Sequence, residues 1–146
     1  LHLGAALAGR LDDLAGPLSA YGLPLGEAFQ LKDDLLGVFG DADVTGKPVG
    51  EDLREGKPTL LYAVAAQRAA GADAAALAQY GNAELDEAGV VALQDVLVET
   101  GAVDAVEQSI DRLVAEAVEA LDCPPLTEPA RQALVELAYF VAGRDR

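Results

Sequence analysis

The chain has 146 residues, of which 51% are hydrophobic and 24% charged, a composition typical of a globular protein with a substantial core. Its formal net charge of −15 argues against a nucleic-acid partner, which would need a basic face, and against electrostatic docking on anionic membranes. The single cysteine excludes an internal disulfide bond, and no apolar run is long enough to span a membrane. We therefore expect a cytoplasmic protein.

Helical spacing of apolar residues runs through the sequence, and no stretch alternates convincingly in the manner of a strand. In the first part we expect a short helix at 3–14 and a longer one at 17–39, with Pro17 in its first turn and a kink at Pro24. Further helices are predicted at 58–71, 73–80, 86–101, 103–121 and from 127 onward. The predicted fold class is all-α, in a single domain at 1–146.

The last two predicted helices carry apolar stripes that indicate buried faces. In the segment 103–121 the stripe consists of Val103, Val106, Ile110, Leu113, Val114, Ala117 and Leu121. In the final helix the residues expected to be buried are Leu134, Leu137, Ala138 and Val141.

A polar segment at 40–57 interrupts the helical pattern and holds four glycines and one proline. Loops of this length inside compact domains are usually functional or disordered. We predict that this loop contributes to a site.

Two adjacent carboxylates, Asp33 and Asp34, stand on an otherwise apolar helix. At about 100° per residue they share one helix face with Gln30, Gly37 and Asp41. Neither aspartate has a Lys or Arg four residues later to relieve their mutual repulsion. A magnesium ion would relieve it, since magnesium takes one or two carboxylates together with waters and substrate phosphate oxygens. A solvated helix face is the alternative interpretation of the same spacing.

The polar loop supplies Lys47 and Lys57, with Arg54 between them, in an otherwise acidic protein. Lysines beside glycines and near a carboxylate pair are the groups needed to hold a diphosphate, with metal on one side and ammonium on the other. Alternatively, these cations form local ion pairs with Glu51, Asp52 and Glu55.

Three runs of residues give this region a specific character: GEAFQLKDDLLGVFGD at 26–41, TGKP at 45–48 and DLREGKPT at 52–59. Together they strongly resemble the second aspartate-rich region of trans-isoprenyl diphosphate synthases. These are the polyprenyl synthetases that include farnesyl and geranylgeranyl diphosphate synthases. The resemblance extends over about residues 1–62. It implies an isoprenoid-synthase-type helical bundle, of which this chain would be the C-terminal part.

The resemblance also implies a magnesium-dependent prenyltransferase that elongates isoprenoid chains. In this family an allylic prenyl diphosphate is ionised between two aspartate-rich motifs, isopentenyl diphosphate attacks the carbocation, and a proton is lost. By match to the motif, Asp33 and Asp34 are catalytic and bind the metal. Gln30 contacts the region of the metal-bound substrate. Lys47 and Lys57 contact the diphosphate, and Lys47 counts as a catalytic residue.

The sequence departs from the family pattern at two points. Gly37 stands where the motif has its third aspartate, and Asp41 lies one turn further on. The first aspartate-rich motif is not found, because the pair Asp12 and Asp13 has no third carboxylate nearby and is expected to be a solvated helix face. We expect that motif upstream of Leu1, in a longer protein that forms a homodimer.

A chain with one aspartate-rich motif is expected to be inactive by itself. The reaction needs metal ligands on one side of the diphosphate and further ligands with the acceptor site on the other. Apolar helix faces that the upstream part would cover are expected to be exposed, such as those carrying Leu35, Leu36 and Leu60.

Two other functions fit parts of the pattern. A non-catalytic homologue could bind diphosphate or dimerise with an active subunit; the missing third aspartate favours it, whereas the retained lysines and glutamine count against it. A class I terpene cyclase shares the fold and the metal chemistry. That class needs an Asn/Ser/Glu metal triad, and Asn82 and Glu84 do not have its spacing.

Overall fold

The computed structural model describes residues 1–40, 49–123 and 126–143, and every regular element in these ranges is a helix. In chain order the helices are α1 (His2–Leu7), α2 (Leu11–Phe39), α3 (Glu51–Glu55), α4 (Leu60–Arg68), α5 (Ala72–Leu77), α6 (Glu87–Glu99), α7 (Ala102–Glu119) and α8 (Glu128–Ala142). The predicted all-α fold class is confirmed for this part of the chain. None of these helices is long and apolar enough to cross a membrane.

The first two helices are separated at Gly9, before Pro17, where sequence analysis placed the start of the second helix. Gly9 has a φ of 67°, in the left-handed region that glycine adopts without steric penalty. Helix α2 then continues through both Pro17 and Pro24. The predicted boundary is therefore wrong. Its apolar stripe explains why, since buried residues continue on both sides of Pro17: Leu14, Leu18, Tyr21 and Leu25.

Helix α3 lies inside the segment 40–57 that sequence analysis predicted to be a loop. Two glycines in the left-handed region frame it, Gly50 at the N-cap with a φ of 74° and Gly56 at the C-cap with a φ of 66°. Its first turn carries Glu51 and Asp52, whose negative charges suit the positive end of a helix. Five residues are too few to show apolar periodicity, so the pattern did not reveal this helix.

Side-chain caps define the starts of two later helices. Helix α4 begins after Thr59 rather than at Pro58, because the Thr59 side chain accepts a hydrogen bond from the N–H of Tyr62 at 3.3 Å. Helix α6 begins as predicted, since Asp86 accepts from the N–H of Gly89 at 2.8 Å. Such caps satisfy N–H groups that have no partner within their own helix.

The chain divides into two compact units, one formed by residues 1–30 with the described residues from 109 to 143, the other by residues 31–108. In the first unit, Cys123, Leu126 and Leu134 pack against a buried cluster, which consists of Ala5, Leu14 and Leu18. Cys123 thus serves as a small apolar side chain. In the second unit, α6 packs against both α4 and α5, and its residues Leu93 and Leu97 are fully buried.

The apolar stripe predicted for 103–121 is confirmed from Val106 to Leu121, whose stripe residues are all buried, whereas Val103 is partly buried. In α8, Ala138 and Val141 are buried, but Leu137 is 45% exposed, contrary to prediction. Leu137 lies at the edge of the stripe, about 100° around the helix from Ala138. Of the apolar residues expected to be exposed, Leu60 is exposed, Leu36 is partly buried and Leu35 is buried.

A buried tyrosine joins α2 to α8 in the first unit. Tyr21 is 1% exposed, and its hydroxyl donates to the carbonyl oxygen of Leu134 at 2.7 Å. Replacing Tyr21 by Phe keeps the ring and removes this donor. We expect the Tyr21→Phe variant to lose about 1 kcal/mol of free energy of unfolding at neutral pH, measured by urea unfolding with circular dichroism.

The same variant should show a characteristic pH dependence. Burial raises the pKa of Tyr21 above its ordinary value of 10.0. Because the pKa is raised in the folded state, the contribution of the neutral phenol is fully present below pH 10.0 and is lost as the pH rises through the raised value. The stability gap between wild type and Tyr21→Phe should therefore shrink above pH 10.0. A gap that stays constant into the alkaline range would contradict this role.

Candidate active site

The two adjacent aspartates of α2 differ in their surroundings. Asp34 is 8% exposed, whereas Asp33 is only partly buried. Gln30 lies about one turn earlier on the same helix and is exposed. The prediction that these three residues share a helix is confirmed.

Lys57 supplies the counter-charge for Asp34. Its Nζ lies 2.7 Å from Oδ1 of Asp34 and 3.2 Å from Oδ2 of Asp52. Both carboxylate side chains are almost buried, so water screens their attraction to the ammonium less than it would at the surface. The hydrogen bond to Asp34 outweighs the opposing effect of burial and, with the one to Asp52, raises the pKa of Lys57 above its ordinary value. Lys57 is therefore a cation at neutral pH.

Hydrogen bonds at both its N–H and its carbonyl oxygen hold the backbone of Lys57. Its N–H donates to the carbonyl oxygen of Asp52 at 3.2 Å, just after Gly56 ends α3. Its carbonyl oxygen accepts from the hydroxyl of Tyr80 at 2.5 Å. The ring of Tyr80 in turn stacks on that of Tyr62, with 4.2 Å between the ring centroids. These contacts fix the main chain from which the Lys57 ammonium extends.

A close backbone approach brings the Tyr80 turn to the end of α3. A Cβ atom added at Gly56 would lie 2.8 Å from the Cα of Gly81, a contact that no other residue type would allow without movement. The N–H of Gly81 donates to the carbonyl oxygen of Leu53 at 2.8 Å. Glycines at both positions allow Tyr80 to reach Lys57.

The other cations and carboxylates singled out in the sequence are placed differently. Arg54 donates to the carbonyl oxygens of Leu85 and Val49, both at 2.9 Å, so its guanidinium holds the segment around α3. Lys47 and Asp41 lie outside the residues that the structure describes.

The pair Asp12 and Asp13 behaves as the sequence predicted for a solvated helix face. Both residues are exposed, and Asp13 pairs with Arg10 at 2.9 Å between Nε and Oδ2. Exposed pairs of this kind contribute little to stability. This pair is clearly different from Asp33 and Asp34, of which the second is buried and shares a lysine.

Sequence analysis did not assign Asp52 or Tyr80 to the site. It considered Asp52 only as a local partner of the loop cations, and that local pair with Lys57 exists. Its place in the run at 52–59, which carries the family resemblance, was a signal that could have drawn attention to it. Tyr80 had no such signal, because its contact with Lys57 joins residues 23 positions apart.

The donor set suits a metal that arrives with a substrate. Within the described ranges, no group of three or more His, Cys, Asp or Glu side chains is arranged to hold a metal ion. Asp33 and Asp34 offer the hard oxygen donors that magnesium prefers, and one or two carboxylates suffice when phosphate oxygens and waters complete the octahedron. The residues present therefore fit a magnesium ion bound together with a phosphate-bearing substrate.

Known protein sequences resemble this chain along nearly its whole length. The family model for polyprenyl synthetases matches residues 1–97. The chain is 34% identical over 136 residues to the geranylfarnesyl diphosphate synthase of Aeropyrum pernix, an alignment that covers 93% of this chain and 42% of that protein.

Solved structures share the fold. The geranylgeranyl pyrophosphate synthase from Corynebacterium glutamicum, solved with isoprenyl diphosphate and magnesium, matches with a TM-score of 0.91 and 39% identity over 99% of this chain. A polyprenyl synthase from Caulobacter crescentus, solved with calcium and isoprenyl diphosphate, matches with a TM-score of 0.86 and 35% identity. The chain spans 41% of the first structure and 44% of the second. Because the family model covers about two thirds of the sequence and the relatives align with almost all of it, this chain belongs to the polyprenyl synthetase family.

Proposed function

We propose that this chain supplies the second aspartate-rich part of a prenyltransferase active site, which condenses an allylic prenyl diphosphate with isopentenyl diphosphate. The observation that carries this proposal is the pairing of Asp34 with Lys57, 2.7 Å apart. A carboxylate able to hold a divalent metal and an ammonium able to contact phosphate are the two kinds of charge that a metal–diphosphate complex requires. The names of the relatives, all prenyl diphosphate synthases, support the same reaction class.

Each residue of the proposed site has a distinct role. Asp33 and Asp34 would hold magnesium, which when bound would neutralise the charge that develops on the departing diphosphate. Lys57 has three N–H donors, of which Asp34 and Asp52 accept two, so the third can donate to a diphosphate oxygen. Gln30 is proposed to contact the same substrate one turn earlier on α2.

Further elements of the proposal rest on the family resemblance and on composition. Lys47 is proposed as a second, catalytic lysine that contacts the diphosphate. The 146 residues are proposed to form a single helical domain, which in the whole cytoplasmic protein would pair as a homodimer. The net charge of −15 supports a metal-bridged small-molecule substrate over a nucleic acid.

Binding of magnesium and inorganic pyrophosphate to the 146-residue chain tests the site directly. We expect the double variant Asp33→Asn/Asp34→Asn to weaken pyrophosphate affinity by roughly 100-fold in titration calorimetry with magnesium, because two charged ligands are lost. The variant Asp12→Asn/Asp13→Asn removes the same charge from the same helix and serves as the matched control, with unchanged affinity. Equal weakening in both variants would indicate a general charge effect. Absence of magnesium-dependent binding in the wild type would contradict the proposed function.

Turnover by the chain alone tests the requirement for two aspartate-rich motifs. One such motif is found in the sequence, so the chain is proposed to lack the metal ligands and the acceptor site on the other side of the diphosphate. We expect no incorporation of radiolabelled isopentenyl diphosphate by this chain with magnesium and an allylic primer. The Corynebacterium glutamicum enzyme, assayed in parallel, is the positive control. Incorporation at a rate near that of the control would contradict the two-motif argument.

A further inference from the structure

The carboxylate of Asp52 lies directly against the backbone of α2 at Gly37. A Cβ atom added at Gly37 would lie 2.5 Å from Cγ of Asp52 and closer still to Oδ2, separations that real Cβ atoms essentially never show. Asp52 is only 6% exposed, and a close-packed interior leaves its carboxylate little room to move aside. With the Asp52 carboxylate in this place, position 37 has no room for a Cβ atom, and this is the position where the family motif has its third aspartate.

In this position the carboxylate of Asp52 also contacts the ammonium of Lys57. Oδ2 of Asp52 accepts a hydrogen bond from Nζ of Lys57 at 3.2 Å, and the same Nζ donates to Asp34 at 2.7 Å. The Lys57 side chain is 38% exposed and has four flexible carbon atoms, so with Asp34 as its single acceptor it could adopt many orientations. A second, immobile carboxylate restricts the ammonium to one place beside Asp34.

We propose that Asp52 is a positioning residue: seated against Gly37, it holds the ammonium of Lys57 beside Asp34, where the diphosphate is to bind. The proposal rests on the proposed function, because it takes the diphosphate as the ligand of Lys57. Gly37 and Asp52 fit one another, because the glycine leaves open the space that the carboxylate occupies. Restoring an aspartate at position 37 should therefore damage the site, since its Cβ would displace Asp52.

Thermal unfolding of the 146-residue chain tests whether the Asp52 carboxylate packs closely against Gly37. We expect Gly37→Ala to lower Tm by about 3–10 °C, because overpacking outweighs the usual benefit of alanine in a helix. Gly26→Ala is the matched control on α2: no described atom lies within 4 Å of a Cβ added there, so its Tm should stay equal or rise by about 2–4 °C. In an Asp52→Ala background, Gly37→Ala should no longer lower Tm. A rise in Tm for Gly37→Ala in the wild-type background would contradict the close packing of Asp52 against Gly37.

Pyrophosphate affinity in the presence of magnesium tests the positioning role. Asp52→Asn keeps the shape of the side chain and removes its charge, and we expect it to weaken binding by about 5-fold or more. Lys57→Gln should weaken binding by about 10- to 100-fold. The double variant should bind no more weakly than Lys57→Gln alone, because Asp52 acts through the lysine. If the losses of binding free energy in the two single variants simply add in the double variant, Asp52 acts on the ligand by another route, which would contradict the proposal.

A third variant keeps the test decisive if Asp52→Asn does not fold. Gly37→Asp leaves both Asp52 and Lys57 in the sequence but displaces the carboxylate, so it should weaken pyrophosphate binding when Lys57 is present and not in a Lys57→Gln background. Tighter binding by Gly37→Asp would overturn the proposal. Failure of the wild-type chain to bind magnesium and pyrophosphate contradicts the proposed function itself, whereas normal wild-type binding with additive losses contradicts only the role of Asp52.

Discussion

The pairing of Lys57 with two buried carboxylates, Asp34 and Asp52, joins the end of α2 to the segment that carries α3. Asp34 is 8% exposed on a helix whose nearby residues Leu31, Leu35 and Val38 are also buried. A buried carboxylate without a partner is costly, so Asp34 needs a cation that stays in place. Lys57 provides it from 23 residues later in the chain. The segment that carries α3 must therefore lie against the end of α2.

Close backbone approaches make that arrangement possible. At Gly37 the backbone of α2 admits the carboxylate of Asp52, and Gly56 and Gly81 bring two turns nearly into contact. A Cβ atom at Gly37 would clash with the Asp52 carboxylate, and one at Gly56 would clash with the backbone of Gly81. The hydroxyl of Tyr80 then fixes the main chain of Lys57 across the same gap. The geometry of the site thus depends on small residues as much as on charged ones.

The charges that stabilise this unit are also those assigned to the substrate. Under the proposed function, Lys57 is held by Asp34 and Asp52 before any diphosphate arrives, so its orientation costs little entropy at the moment of binding. A group fixed in advance near the place where charge develops is more effective than one that must reorganise. Stability and binding are therefore expected to respond together to changes at Asp52.

The sequence by itself determined the fold class, the family and the aspartate pair. Apolar residues spaced one turn apart indicate a helix from the local sequence alone. The cap at Asp86 is likewise a local hydrogen bond, and the motif around Asp34 is a contiguous run of residues. Only the tertiary structure decided which residues complete the site. Lys57 pairs with Asp34, and Asp52 packs against Gly37, across positions that are far apart in the sequence. Local periodicity contains no information about such contacts. Their geometry is set where α3 and the residues after it meet α2 and the turn at Tyr80, because these contacts bring the buried charges within hydrogen-bonding range.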